Sequence, residues 1–268
     1  MDKSIWAIFF SIVGGVLTVL VVETVRYAKR RYVRWKFERI FGAAIDQYLL
    51  VYTGFVLRPE FRGLDPQQQA NLLRHPFAKP RDSGVRISAG QTASACEIRA
   101  AAYVGPTIAR QLGVSTRFVD DESLRDKFDI DFVSFGAAAN DKTCDIFQNE
   151  GNDLVEYDHS QGFFVWKKSR QLVYNRRQGD RHDYGIILKI HPKQFPKRTW
   201  IACAGIGETG TSASAYFLAT KWKEIEGVVK GNGKFVCVVE AETDKDESAV
   251  KCVVYQAAEE APALTRAS

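Results

Sequence analysis

The sequence predicts an α/β fold: one N-terminal transmembrane helix, then a mostly parallel sheet with helices on both faces and antiparallel additions. Three observations predict it. Residues Ile5–Val22 carry no charged side chain. Beyond residue 42, short apolar runs alternate with helix-periodic stretches, the pattern of a sheet buried on both sides. Two of those runs end in turns of glycine and other small residues that open helices. The composition agrees. With 268 residues, 46% hydrophobic and 26% charged, the chain supports one sizeable core, and collagen-like, disulfide-scaffold and wholly disordered classes are excluded.

The apolar stretch comes first. At 1.5 Å per residue, Ile5–Val22 reaches roughly 27 Å, close to the ~30 Å of bilayer hydrocarbon. A cleaved signal peptide has a basic start and a small-residue cleavage site. Here the start is Asp2-Lys3, and the run passes directly into Glu23-Thr24-Val25-Arg26. Residues 23–39 hold seven Lys/Arg against two Glu, which accounts for the whole net charge of +5 and leaves residues 40–268 neutral. No nucleic-acid partner is expected. The same cations set the topology: a single-pass membrane protein whose C-terminal domain is cytosolic. Five widely spaced cysteines, an odd number, agree with a reducing compartment. Tyr27, Tyr32, Trp35, Phe37 and Phe41 interleave the cations, a mixture suited to a bilayer with anionic headgroups. Ser11, Gly14, Gly15 and Thr18 put small side chains at four-residue spacing, a candidate contact for homo-oligomers.

Three regions follow: 1–41 as span and basic juxtamembrane segment, 42–256 as the α/β domain, and 257–268 as a flexible tail. Within 43–57, Tyr48–Tyr52 and Phe55–Leu57 read as a first strand or a continuing helix. Residues 58–87 hold four of the eight prolines and read as a long connection. A helix is expected over Thr92–Leu112, strained or broken at Gly105-Pro106. Strands are expected at Thr116–Val119 and Asp131–Phe135, then a helix over Asn140–Gln148. Asp153–Tyr157, Gly162–Lys167 and Gln171–Tyr174 resemble a local antiparallel insert. Ile186–Ile190 and Trp200–Ala204 read as strands and Thr211–Ile225 as a helix. Gly231-Asn232-Gly233 marks a turn before Phe235–Glu240, which pairs with Val250–Tyr255 as a hairpin. Together these make a Rossmann-like sheet.

Gly205-Ile206-Gly207-Glu208-Thr209-Gly210-Thr211 is the sharpest motif. It follows an apolar strand and opens a helix, where free N–H groups favour an anion and glycines allow close approach. Thr209 and Thr211 are candidate hydroxyl donors. The pattern departs from a dinucleotide fingerprint, because the next strand ends at Glu240–Glu242, about 30 residues on rather than about 20. Glu208 inside the loop opposes a phosphate. Gly136-Ala137-Ala138-Ala139-Asn140 forms a second strand–turn–helix unit, with Asn140 either capping its helix or bonding a ligand. Gly136, Asn140, Gly205, Gly207, Thr209, Gly210 and Thr211 are the candidate ligand-binding residues. Asp120, Asp121, Glu122, His182, Asp183 and Glu208 are acid–base candidates, with a structural role for Asp120–Glu122 at a helix start. No metal-ligand spacing, nucleophile elbow or P-loop is present.

The combination of Phe135–Asn140, Asp183-Tyr184-Gly185 and Gly205–Thr211 resembles bacterial membrane-anchored Rossmann-like proteins. It is distantly similar to nucleotide-sensing or nucleotide-processing domains of the TIR and SLOG kind. The resemblance covers about residues 86–226 and implies a ligand class, a nucleotide-like small molecule, with no named cofactor and no catalytic residue. A membrane-tethered nucleotide sensor is the expected function. A nucleotide-processing enzyme, acting by N-glycosidic cleavage or similar chemistry, and a non-enzymatic membrane scaffold stay open beside it.

Overall fold

Alternation of large apolar side chains gives the sheet two buried faces, each covered by helices or a hairpin. The computed structural model describes residues 3–43, 47–54, 56–57, 87–88, 93–174, 181–229 and 231–256. Helix α1 spans Lys3–Phe41 and strand β1 Gln47–Tyr52. The short strands β2 (Val56–Leu57) and β3 (Ile87–Ser88) pair antiparallel. Next come α2 (Ala95–Leu112), β4 (Ser115–Asp120), β5 (Phe132–Phe135), α3 (Asp141–Gln148), β6 (Val155–Asp158) and β7 (Phe163–Trp166). The chain closes with β8 (His182–Ile190), β9 (Trp200–Gly205), α4 (Glu208–Val228), β10 (Phe235–Glu242) and β11 (Val250–Gln256). The main sheet has the order β11-β10-β8-β9-β5-β1-β4. Strands β4, β1, β5 and β9 are mutually parallel. Strand β8 is antiparallel to both β9 and β10, and β11 closes the edge as an antiparallel hairpin with β10. The α/β class and mostly parallel mixed sheet are as the sequence predicts.

One face carries Tyr48, Leu50, Val133, Phe135, Ile187, Ile201 and Cys203 against α2, α4 and the end of α1. The other carries Leu49, Val51, Phe132, Ile186, Leu188, Trp200 and Ala202 against α3 and the β6–β7 hairpin. Neighbouring residues of one strand enter different cores, as the two-residue period requires.

Helix α2 runs unbroken through Pro106, so of the strain or break expected at Gly105-Pro106 the break does not occur. Proline there removes one intrahelical bond, but packing holds the helix: Val104 and Ile108 are fully buried, and Gly105 lets the axis approach Leu50 and Thr116. Ser94 and Glu97 form a capping box at its start, and Gly113 ends it at φ 72°. Of the expected insert, β6 and β7 pair, whereas Leu172 contributes only an isolated bridge to Val165. Asp120–Glu122 introduces a single 3-10 turn over Glu122–Leu124, with Asp120 accepting from Ser123 N at 2.8 Å. The proline-rich stretch other than Ile87, and the tail 257–268, lie outside the described residues.

Among the described residues, no helix is long and apolar enough to cross a membrane. The backbone of α1 includes the expected span, but the side chains of residues 3–12 lie outside the described ones. The described apolar run, Val13–Val22, covers about 15 Å, half of the hydrocarbon thickness. A second expectation changes at the other end of α1. Phe37 and Phe41, read as interfacial aromatics, are fully buried with Ile40 in the sheet's core, and Phe37 meets Trp222 of α4 edge-on at 5.1 Å. Tyr27, Tyr32 and Trp35 remain exposed. Glu226 of α4 binds both Lys36 and Arg39, and the buried Lys189 ammonium donates to Arg39 O and to Asn232 Oδ1, both at 2.6 Å. Burial and the nearby Arg39 charge bring Lys189 down to about 7. Of the small-residue stripe, Thr18 Oγ1 donates to Gly14 O within the helix, and the side chain of Ser11 lies outside the described residues.

Candidate functional site

The chain leaves β1 by way of α2 on one face to reach β4. It leaves β5 through α3 on the other face, passing the β6–β7 hairpin and entering the far half of the sheet at β8 before β9. Between β1 and β5 the connections therefore diverge, which makes their carboxyl ends a topological switch point, the place where open α/β sheets form a ligand crevice. Thr53 and Gly54 continue β1 there, and Gly136–Ala139 continue β5.

Asn140 closes the floor of this crevice. Its side-chain carbonyl accepts from Lys142 N and Thr143 N, and its amide donates to Val51 O at 3.2 Å and Phe135 O at 2.9 Å. The residue is fully buried and uses both ends of its amide. Of the two roles weighed for it, capping is the one the geometry displays.

Glu97, which sequence reasoning passed over, stands beside it. Its carboxylate accepts from Thr53 Oγ1 at 2.6 Å, Thr53 N at 3.2 Å and Ser94 N at 3.4 Å. Burial raises its pKa above the ordinary 4.5, while the Thr53 and Ser94 donors act the other way. A Cβ at Gly136 would come within 3.0 Å of Glu97 Oε1, so glycine, at φ 92°, is required for both space and conformation. The signal in the sequence was Ser94-Ala95-Cys96-Glu97, a capping box. Asp121, also fully buried, accepts from Gly54 N at 2.6 Å and Asp141 N at 2.7 Å and ties the two loops together. Asp120 and Asp141 are partly exposed beside it, so this end of the crevice is acidic.

The glycine turn lies one strand further along, at the end of β9. Its helix N-terminus is filled from within the chain. Asp183, buried on β8, accepts from Gly207 N at 3.2 Å through one oxygen and Gly210 N at 2.7 Å through the other. A carboxylate stands where a bound phosphate would, which satisfies the N–H groups and the helix dipole. Thr211 Oγ1 accepts from Gly205 N, and Thr209 Oγ1 accepts from Asp244 N, both at 3.0 Å. The glycines serve close approach: a Cβ on Gly185 or Gly210 would drive into the facing strand or helix backbone, and one on Gly207 would meet Asp183 Oδ2 at 2.5 Å. Glu208 points to solvent. His182 begins β8, 3.8 Å from Glu240 of β10.

The structure thus brings Gly136 and Asn140 to one crevice with Thr53, Glu97 and Asp121, and gathers Gly205, Gly207, Thr209, Gly210 and Thr211 around Asp183 at the neighbouring strand end. Among the described residues, no group of three His, Cys, Asp or Glu side chains is arranged to hold a metal ion. Comparison with protein-family models, with curated proteins and with solved structures finds no match.

Proposed function

We propose that this chain is a membrane-anchored domain, facing the cytosol, that binds a nucleotide-like ligand at the β1/β5 crevice for sensing or signalling. The observation that carries the ligand reading is the divergence of α2 and α3 at two adjacent strand ends built from Thr53-Gly54 and Gly136–Ala139. The acidity of Asp120 and Asp141 favours the hydroxyl groups of a sugar over phosphate there. Asp183 already fills the anion-binding turn, so the nucleoside part of the ligand is what this edge recognises. The anchor reading draws on α1, where Val16, Leu17, Val19, Leu20, Val21 and Val22 are each 41% exposed or more. These positions fall on every side of a helix, unlike the single apolar stripe of a helix lying on a domain surface.

The test is a thermal-shift screen of the full chain in neutral detergent against adenosine, ATP, NAD, ADP-ribose and cyclic nucleotides. A stabilising ligand is expected, and Asp120→Asn should weaken it by about 1.5 kcal/mol, the scale of one hydrogen bond to a charged group. A panel that shifts nothing leaves the scaffold reading in its place. Glu97 gives a specific reason to keep the enzyme reading beside the sensor, since it is a buried carboxyl with a raised pKa at the crevice. Turnover of the bound ligand that is lost in Glu97→Gln, with binding retained, selects the enzyme.

A further inference from the structure

Arg26, Lys29, Arg30, Arg31 and Arg34 of α1 line a cavity of about 700 Å³ together with Arg110 from the last turn of α2. Arg26 and Arg34 are paired along the helix with Glu23 and Glu38. Lys29, Arg30, Arg31 and Arg110 make no ion pair among the described residues. The carbonyls at the end of α2 oppose them with about half a negative charge, which the four cations, unpaired among the described residues, outweigh. Gathering like charges in one cleft is unfavourable unless an anion enters it.

We propose that this cleft holds anionic phospholipid headgroups, with Arg110 as the contribution of the globular domain. The proposal rests on the anchor reading above and adds to it an orientation: the α2 end of the domain is turned towards the bilayer. Distances along α1 fit. Counted from Val22, Arg26 stands about 6 Å and Arg31 about 14 Å along the helix. The headgroup layer is roughly 5–8 Å deep. Attraction to its charge extends a further ~8 Å at physiological salt. Lys29, Arg30 and Arg31 lie within that range, and Arg110 shares their cavity. Exposed Tyr27, Tyr32 and Trp35 occupy the same stretch, as interfacial aromatics do.

Thermal unfolding of the full chain in neutral detergent, with short-chain phosphatidylglycerol, short-chain phosphatidylcholine or inorganic phosphate added, tests this. Phosphatidylglycerol should raise the midpoint at concentrations where the other two do not, and rising salt should remove the effect. Arg110→Gln, an exposed substitution, should weaken the response about fivefold, the contribution of one cation near an anionic surface. Replacing Lys29, Arg30 and Arg31 together by Gln should abolish it. An unchanged response in Arg110→Gln overturns the cleft, and an equal response to inorganic phosphate overturns the lipid as its occupant. Resistance of vesicle-bound protein to alkaline carbonate is read separately. Extraction by carbonate with the phosphatidylglycerol effect intact defeats the anchor and not the cleft, and retention without that effect defeats the cleft alone.

Discussion

The β5–α3 and β9–α4 units begin alike, with a buried strand, a turn of small residues and a helix whose first N–H groups need acceptors. They satisfy those groups differently. Asn140 does it locally, with a neutral amide that also bridges Val51 and Phe135. In the second unit Asp183 arrives from an adjacent strand and spends a full charge on Gly207 and Gly210. A helix start that looks open in sequence can therefore be closed by a residue that is near only in space. The difference also separates the roles of the glycines. Gly136 gives the backbone a left-handed conformation beside Glu97, whereas Gly185 and Gly210 exist for backbone-to-backbone contact.

The largest effect should come from that contact. Gly210→Ala and Gly185→Ala are expected to lose about 3 kcal/mol by overpacking, measured by denaturant unfolding, against about 1–2 kcal/mol for Gly136→Ala. Equal losses at the two units would erase the distinction. Next, Asp183→Ala and Asn140→Ala should each cost about 2 kcal/mol through unsatisfied buried groups. Only Asp183→Ala should regain stability when sulfate or phosphate is added, because only there does an anion vacate a helix N-terminus. A gain confined to Asn140→Ala would reverse the assignment. Asp183→Asn, which keeps the shape and drops the charge, should fall between, at about 1 kcal/mol.

The smallest effect concerns Glu97. Its folded pKa lies above the unfolded 4.5, so between those two values the folded protein binds more protons than the unfolded chain. Stability should therefore fall as pH rises through that window. Glu97→Gln should flatten this slope at the loss of about 0.5–1 kcal/mol from the Ser94 cap, seen in melts between pH 4 and 7. A slope that survives the substitution assigns it to another carboxyl.

How much of this was legible in the sequence depended on the range of the interaction. Strands such as Asp131–Phe135 and Trp200–Ala204 showed themselves through local apolar runs, and the β10–β11 hairpin through its turn and pairing pattern. The capping role of Asn140 was already one of two readings because the N–H groups it accepts from lie only two and three residues away. Asp183 was visible as an acid–base candidate and as part of Asp183-Tyr184-Gly185 but not as a helix cap, since nothing at position 183 announces a partner at 207. At Pro106 strain and a break both stayed open for the same reason: the local cost of proline was plain, and the packing of Val104 and Ile108 that offsets it was not. The end of α1 was placed at a bilayer surface because Phe37 and Phe41 alternate with cations, and their burial depends on residues outside the helix such as Trp222 and Tyr48.

That burial gives α1 a mechanical character. The helix is continuous from Lys3 to Phe41 and is fastened at its far end through Phe37, Ile40 and the Glu226 and Lys189 contacts. It is a continuous shaft keyed into the sheet. Inserting one alanine between Lys29 and Arg30 would turn everything beyond it by about 100° and advance it by about 1.5 Å relative to the amino end. Seven inserted residues would nearly restore the original heading at about 10 Å greater reach. Heading and reach of the domain are thus set by counting residues in a single rod.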